Sequence, residues 1–177
     1  LRQEFDVLRV ILHPGFENTT LVHDIALVQL ARPATRRSHI DVVCMPQDGQ
    51  GVQEPGTTCY VTGWGRVTEN SPHSVVLKEI SVPLWEHGNC ERVLKQQFGP
   101  TYTLPNTSIC AGQEGSDACD GDGGGPLVCE KDGHWYQMGI VSFGIGCGRR
   151  NIPGVYTRVD KYYSWIKQTI QEYDALL

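Results

Sequence analysis

The chain has 177 residues, 40% apolar and 20% charged, with 20 Gly and 10 Pro. That length suits one domain with a real core, and the ordinary charge balance excludes a disordered segment. A net charge of −5 gives no electrostatic basis for nucleic acid or anionic membrane as partner, and no apolar run approaches the length of a membrane span.

The chain opens on Leu1-Arg2-Gln3-Glu4-Phe5, neither a signal peptide nor a natural start, which predicts further chain upstream. Phe5 to Leu12 (FDVLRVIL) reads as a strand, and Asp24 to Leu30 (DIALVQL) as a second strand after a polar turn. Residues 31 to 55 carry Pro33, Pro46, Pro55 and several charges, and read as a linker between two β units. Gly56 to Gly65 (GTTCYVTGWG) is a β-rich run closed by glycines. Val75 to Val82, Val128 to Cys129, Tyr136 to Phe143 and Gly154 to Val159 add strands, while 86–108 reads as loop. Many short strands favour a barrel or a sandwich. The tail changes period: Tyr162, Ile166, Ile170 and Tyr173 recur at helical spacing, with Asp160 placed as N-cap. Trp64 and Trp135 are expected in core or rim packing.

Cysteines stand at 44, 59, 90, 110, 119, 129 and 147, without Cys-x-x-Cys pairs or His-x-x-x-His spacing. No metal or other cofactor is therefore expected. Scattered Cys in a Gly-rich chain read as disulfides of an oxidising, extracellular compartment. The sequons Asn18-Thr19-Thr20 and Asn106-Thr107-Ser108 agree with secretion. Seven is odd, so one cysteine is free or pairs outside the chain.

The richest stretch is Asp117 to Cys129, DACDGDGGGPLVC. Glycines at 121, 123, 124 and 125 let backbone N–H groups converge where side chains would forbid it, and such a nest can hold a developing oxyanion. Gly121-Asp122-Gly123-Gly124-Gly125-Pro126 resembles the Gly-Asp-Ser-Gly-Gly-Pro of the chymotrypsin/trypsin-family serine proteases, with Gly123 at the nucleophile. Asp24-Ile25-Ala26-Leu27, Cys59-Tyr60-Val61-Thr62-Gly63-Trp64-Gly65, Ile109-Cys110-Ala111-Gly112 and Pro153-Gly154-Val155-Tyr156-Thr157-Arg158-Val159 resemble further family segments in the family's order, and Trp165-Ile166 its closing helix.

The resemblance implies an all-β, chymotrypsin-like double antiparallel β-barrel with a C-terminal α-helix. Residues 1–43 would end the first barrel, 44–55 link the barrels, 56–160 form the second barrel and 161–173 the helix. It implies the disulfides Cys59–Cys129, Cys90–Cys110 and Cys119–Cys147. Cys44 is left to tether an upstream module or to stay a buried thiol. Asp24 would orient a catalytic histidine, but the family's Ala-Ala-His-Cys segment is not among these residues. His23, beside Asp24, would point to the opposite face of a strand, and His13, His39, His73, His87 and His134 fall in loop or turn contexts.

Gly121 and Gly123 would supply oxyanion N–H groups, and Asp122 would pair with an activated N-terminal ammonium. Asp117 would sit at the base of a specificity pocket that favours Arg or Lys. Ser142-Phe143-Gly144 would be the wall against which substrate backbone pairs as a strand, with Phe143 where the family has Trp, and Gly154 would leave the pocket open. Removing the nucleophile from such a triad costs about 10⁶ in kcat, roughly 8 kcal/mol of barrier. The chain is expected to show no peptidase activity. Three readings follow: a pseudoprotease that binds Arg/Lys-containing peptides or protein partners, a fragment or Ser-to-Gly variant of an active secreted endopeptidase, and a non-enzymatic interaction module. The open strand edges of an incomplete first barrel predict poor folding unless a missing N-terminal portion docks there.

Overall fold

The β-branched run Val7–Leu12 forms strand β1, which pairs antiparallel with β2, Ala26–Leu30, in the register Val10 to Val28. A bulge shifts the register between Val7 and Arg9. In this computed structural model, residues 1–51, 54–66, 68–113, 122–144, 147 and 149–176 are described. The pair β1–β2 lies in a first compact unit, Leu1–Val43. Between the strands, His13 N–H donates to the Ile25 carbonyl at 3.1 Å, and Leu21 and His23 take left-handed backbone at φ 55° and 56°. His23 is therefore not a strand residue, contrary to the facing argument drawn from sequence. Ile25 is buried, while Val7, Leu8, Val10, Leu12, Val28 and Leu30 stay exposed.

The second unit is Cys44–Leu177. Its strands are β3 Thr58–Gly63, β4 Lys78–Pro83, β5 Ser108–Ala111, β6 Pro126–Lys131, β7 His134–Phe143 and β8 Gly154–Arg158. They form one sheet in the order β4-β3-β6-β7-β8-β5. The two outer strands meet where Leu84 bridges Ala111 and Gly112 N–H donates to the Pro83 carbonyl at 3.0 Å. The sheet thus closes on itself, consistent with the chymotrypsin-like fold. Alternation drives one face inward: Cys59 and Val61 of β3, Leu127 and Cys129 of β6, and Met138, Val141 and Tyr156 make the main core.

Three details differ from the sequence reading. The stretch 86–108 is not all loop: helix α1 spans His87–Phe98, and its first N–H groups, at Gly88 and Asn89, donate to the Glu86 carboxylate at 2.9 and 2.8 Å. Its apolar stripe, Cys90 and Leu94, packs on Leu104, Cys110 and Val155 in a second core cluster. Strand β4 starts only at Lys78, leaving Val75, Val76 and Leu77 exposed before it.

Asp160 is not an N-cap. It lies in a 3₁₀ turn, Val159–Tyr162, ahead of helix α2, Tyr163–Asp174, which has no side-chain cap. Asp160 is 1% exposed, and its carboxylate accepts from Arg158 Nε at 3.0 Å and Nη2 at 2.8 Å. A buried carboxylate takes a two-pronged guanidinium in preference to exposed helix N–H groups. The buried face of α2 runs through Ile166 and Thr169, with Ile170 exposed. Trp64 and Trp135 lie on the surface, so their packing is rim and not core.

Disulfides Cys59–Cys129 and Cys90–Cys110 are formed. The first joins β3 to β6 and the second α1 to β5. Closing loops of 70 and 20 residues contributes about 3–4 kcal/mol each in the chain-entropy account.

Candidate functional site

The glycine stretch enters β6 through a tight turn. Gly125 N–H donates to the Asp122 carbonyl at 2.9 Å, with Gly124 at φ +81° in the third position. That is the pattern of a type II turn, which calls for glycine at its third residue. Gly124 N–H then donates to the Val141 carbonyl, and Val141 N–H to the Gly125 carbonyl, both at 2.9 Å, stitching the turn to β7.

The three consecutive glycines are not equivalent. A Cβ on Gly125 would lie 2.8 Å from the Asp122 carbonyl oxygen, and Gly124 needs its positive φ. Gly123 has neither constraint: a Cβ there meets nothing within 4 Å. Its N–H donates to no described residue. The turn therefore presents an exposed backbone donor and room for a side chain at position 123.

The Asp122 side chain turns the other way. Its Oδ1 accepts the Gly65 N–H at 2.9 Å. A Cβ on Gly63 would come within 2.1 Å of that oxygen, and one on Gly65 within 2.4 Å of its Cγ. The glycines of Gly63-Trp64-Gly65 thus clear the space that lets the carboxylate hold the turn from behind, a job the sequence alone did not assign them.

The ladder between β6 and β7 ends at Pro126 opposite Ile140. Among the described ladders, Ser142, Phe143 and Gly144 run past that end, still paired through Phe143 opposite Val155 on β8. Phe143 makes an edge contact with Phe98 of α1 at 6.3 Å between ring centroids. Gly154 opens β8, buried and opposite Ala111. Gly123, Asp122, Ser142–Gly144 and Gly154 all belong to the second unit. Asp117, Cys119 and Gly121 lie outside the described residues. Cys147 is disulfide-bonded.

Asp24 stands in the first unit, between His23 and the buried Ile25. The His13 and His23 rings stack there at 4.8 Å between centroids, and His13 Nδ1 accepts the Gly15 N–H at 3.0 Å. Burial, and then the neighbouring His23, hold the His13 imidazole below its usual pKa.

Cys44 is a half-buried free thiol in the second unit. Its backbone pairs with β7, giving its N–H to the Trp135 carbonyl and accepting from Gln137 N–H, both at 3.0 Å. Asn18 and Asn106 are exposed in turns, and Thr20 of the first sequon donates its hydroxyl to Glu17 at 2.8 Å. No helix among the described residues is long and apolar enough to cross a membrane. Among the same residues, no group of three or more His, Cys, Asp or Glu is arranged to hold a metal ion.

Sequence reasoning missed Glu69. Its carboxylate accepts from Cys147 N–H at 3.2 Å and from Arg149 Nε. The Arg149 hydrogen bond, first, holds the Glu69 carboxyl below its usual pKa, and Arg149 is raised in turn. An acid in an exposed loop carries no local pattern that points to a partner 80 residues away.

Comparison with known proteins agrees with this fold. A family model described as Trypsin matches residues 2–166. Protein masquerade of Drosophila melanogaster is 39% identical over 169 residues, covering 95% of this chain and 16% of that protein. Testisin of Homo sapiens is 43% identical over 157 residues, covering 85% of this chain and 48% of that protein. The chain spans less than half the length of either relative.

Proposed function

The chain belongs to the trypsin family, and on that premise we propose that its domain binds Arg- or Lys-bearing peptides without cutting them. One observation carries the reading: among the described residues nothing crowds position 123 and none takes its N–H, yet it has no side-chain atom to attack a carbonyl. A backbone donor can hold a carbonyl oxygen, and holding alone is not turnover.

The other parts are assigned by family resemblance. Asp117 supplies the charge for an Arg or Lys side chain, and Gly154 leaves it room. Gly121 adds a second donor beside Gly123. Ser142, Phe143 and Gly144 offer an edge to which a peptide adds as a strand, and their run past the end of β6 supports this. Asp122, whose carboxylate takes the Gly65 N–H, is the residue that pairs with an N-terminal ammonium in the family. Asp24 is the histidine-orienting carboxylate. The family's Ala-Ala-His-Cys segment, which carries its histidine, is not among these residues.

The domain is secreted on this reading. Its two observed disulfides and exposed sequons at Asn18 and Asn106 support that setting. Cys44 tethers upstream chain through an intermolecular or interdomain disulfide.

A second reading has its own support. Because a side chain fits at 123 without displacing anything, the turn also suits a serine, as in an active endopeptidase cleaving after Arg or Lys of which this sequence is a Ser-to-Gly form. The test is binding and hydrolysis together. The chain should bind an acetylated tripeptide ending in arginine amide and leave an arginyl ester intact. Gly123→Ser alone should leave the ester intact too, since the family's Ala-Ala-His-Cys segment is not among these residues. Ester hydrolysis by that variant overturns the non-cutting reading in favour of the second, and failure of the chain to bind the peptide sinks both.

A further inference from the structure

The loop after Gly65 is fastened to itself. Thr68 and Ser71 exchange hydrogen bonds at 3.0–3.2 Å, Arg66 bridges His73, and Ser74 N–H donates to the Trp64 carbonyl at 3.1 Å. From this braced loop one side chain reaches across to the connection between β7 and β8, where Glu69 takes the Cys147 N–H and the Arg149 guanidinium. We propose that Glu69 is a positioning residue for peptide binding: it pins the β7–β8 connection so that Ser142–Gly144 keep a fixed line against a bound peptide. The role rests on the peptide-binding reading above.

The physical case is one of constraint and not of stability. The pair is exposed, with 52% of the Arg149 and 38% of the Glu69 side chain open to solvent. Such a pair adds little to global stability. Its effect falls on local opening of a surface loop, which has its own smaller free energy. The disulfide at Cys147 fixes that segment at one point. A carboxylate holding both the Cys147 N–H and the Arg149 side chain adds a second point of attachment.

The same short segment also holds Asp122, through the Gly65 N–H. Gly65 and Glu69 are four residues apart. One piece of chain thus grips the glycine turn at one end and the β7–β8 connection at the other. The Gly123 donor is tied to the 142–144 edge directly, through the Val141 hydrogen bonds, and a second time through this segment. With the Glu69 carboxyl held below its usual pKa, the clasp persists at neutral pH and is lost as pH falls through that lowered value.

The test compares the full chain with its Glu69→Ala and Glu69→Gln variants. Hydrogen exchange over residues 144–151 and the Kd for the acetylated arginine tripeptide amide are both read. Glu69→Ala should speed exchange and weaken binding by about three- to tenfold with an unchanged urea midpoint. Glu69→Gln, which keeps an acceptor but no charge, should fall between. Unchanged exchange overturns the clasp, and faster exchange with an unchanged Kd overturns the positioning role. If the unsubstituted chain fails to bind the tripeptide, the peptide-binding reading falls and this role with it, while exchange still decides whether Glu69 holds the loop.

Discussion

Substituting the three glycines 123, 124 and 125 one at a time by alanine tests whether the turn was shaped around a side chain at its first position. At Gly125 the new Cβ would press on the Asp122 carbonyl at 2.8 Å, an atom already accepting the Gly125 N–H. Relief requires opening that turn, so Gly125→Ala should cost about 2–3 kcal/mol, within the range for a strained backbone site. Gly124→Ala places a Cβ at φ +81° and should cost about 1–2 kcal/mol. At Gly123 the Cβ meets nothing, and φ does not lie in the glycine region. There alanine should be neutral or stabilise by about 0.4–1 kcal/mol, through the smaller entropy of the unfolded chain. Urea unfolding followed by tryptophan emission suits the measurement. All four tryptophans, at 64, 85, 135 and 165, lie in the second unit, as does the turn. A loss at Gly123→Ala equal to that at Gly125→Ala would refute the reasoning.

Two further outcomes follow from polar groups in the second unit. Asp160→Asn leaves the Arg158 guanidinium, half-buried, without its carboxylate, and should lower stability by about 2–3 kcal/mol in the same urea assay; an unchanged midpoint would contradict it. The Glu86 carboxyl is held below its usual pKa, first by the Gly88 N–H and then by the Asn89 N–H. A depressed carboxyl stabilises the fold above its unfolded pKa and loses that contribution as pH falls through its folded value. Protection factors at Gly88 and Asn89, taken relative to the intrinsic exchange rate at each pH, should therefore fall at acid pH in the parent more steeply than in Glu86→Gln, and identical pH profiles would contradict the cap.

How much of this could be read before the structure depends on distance along the chain. Strands β1, β2, β3 and β7 announce themselves as short runs rich in apolar, aromatic and β-branched residues, and the structure trims or extends their ends by a few residues. Helix α1 stayed hidden because its start breaks the local rules. Glu86 is not among the favoured caps, and Gly88 sits in the first turn. Its apolar pair, Cys90 and Leu94, gains meaning only against Val155. Strand β5 is four residues long, too short to show a period. Asp160 stands where a cap belongs, and burial beside Arg158 overrides position. At the site, the glycine turn was legible as a motif, while the difference between Gly123 and its two neighbours was not. That difference lies in a carbonyl oxygen and a dihedral angle. The service of Gly63 and Gly65 to Asp122, 57 residues from Gly65, needs the fold to be seen at all.

Intact-mass analysis after incubation with a serine-directed phosphonate is the most direct measurement of the central claim. With no side chain at 123, the chain should return at its original mass, free of adduct even at long incubation and neutral pH. A covalent adduct mapped by peptide analysis to residues 122–125 would contradict the account.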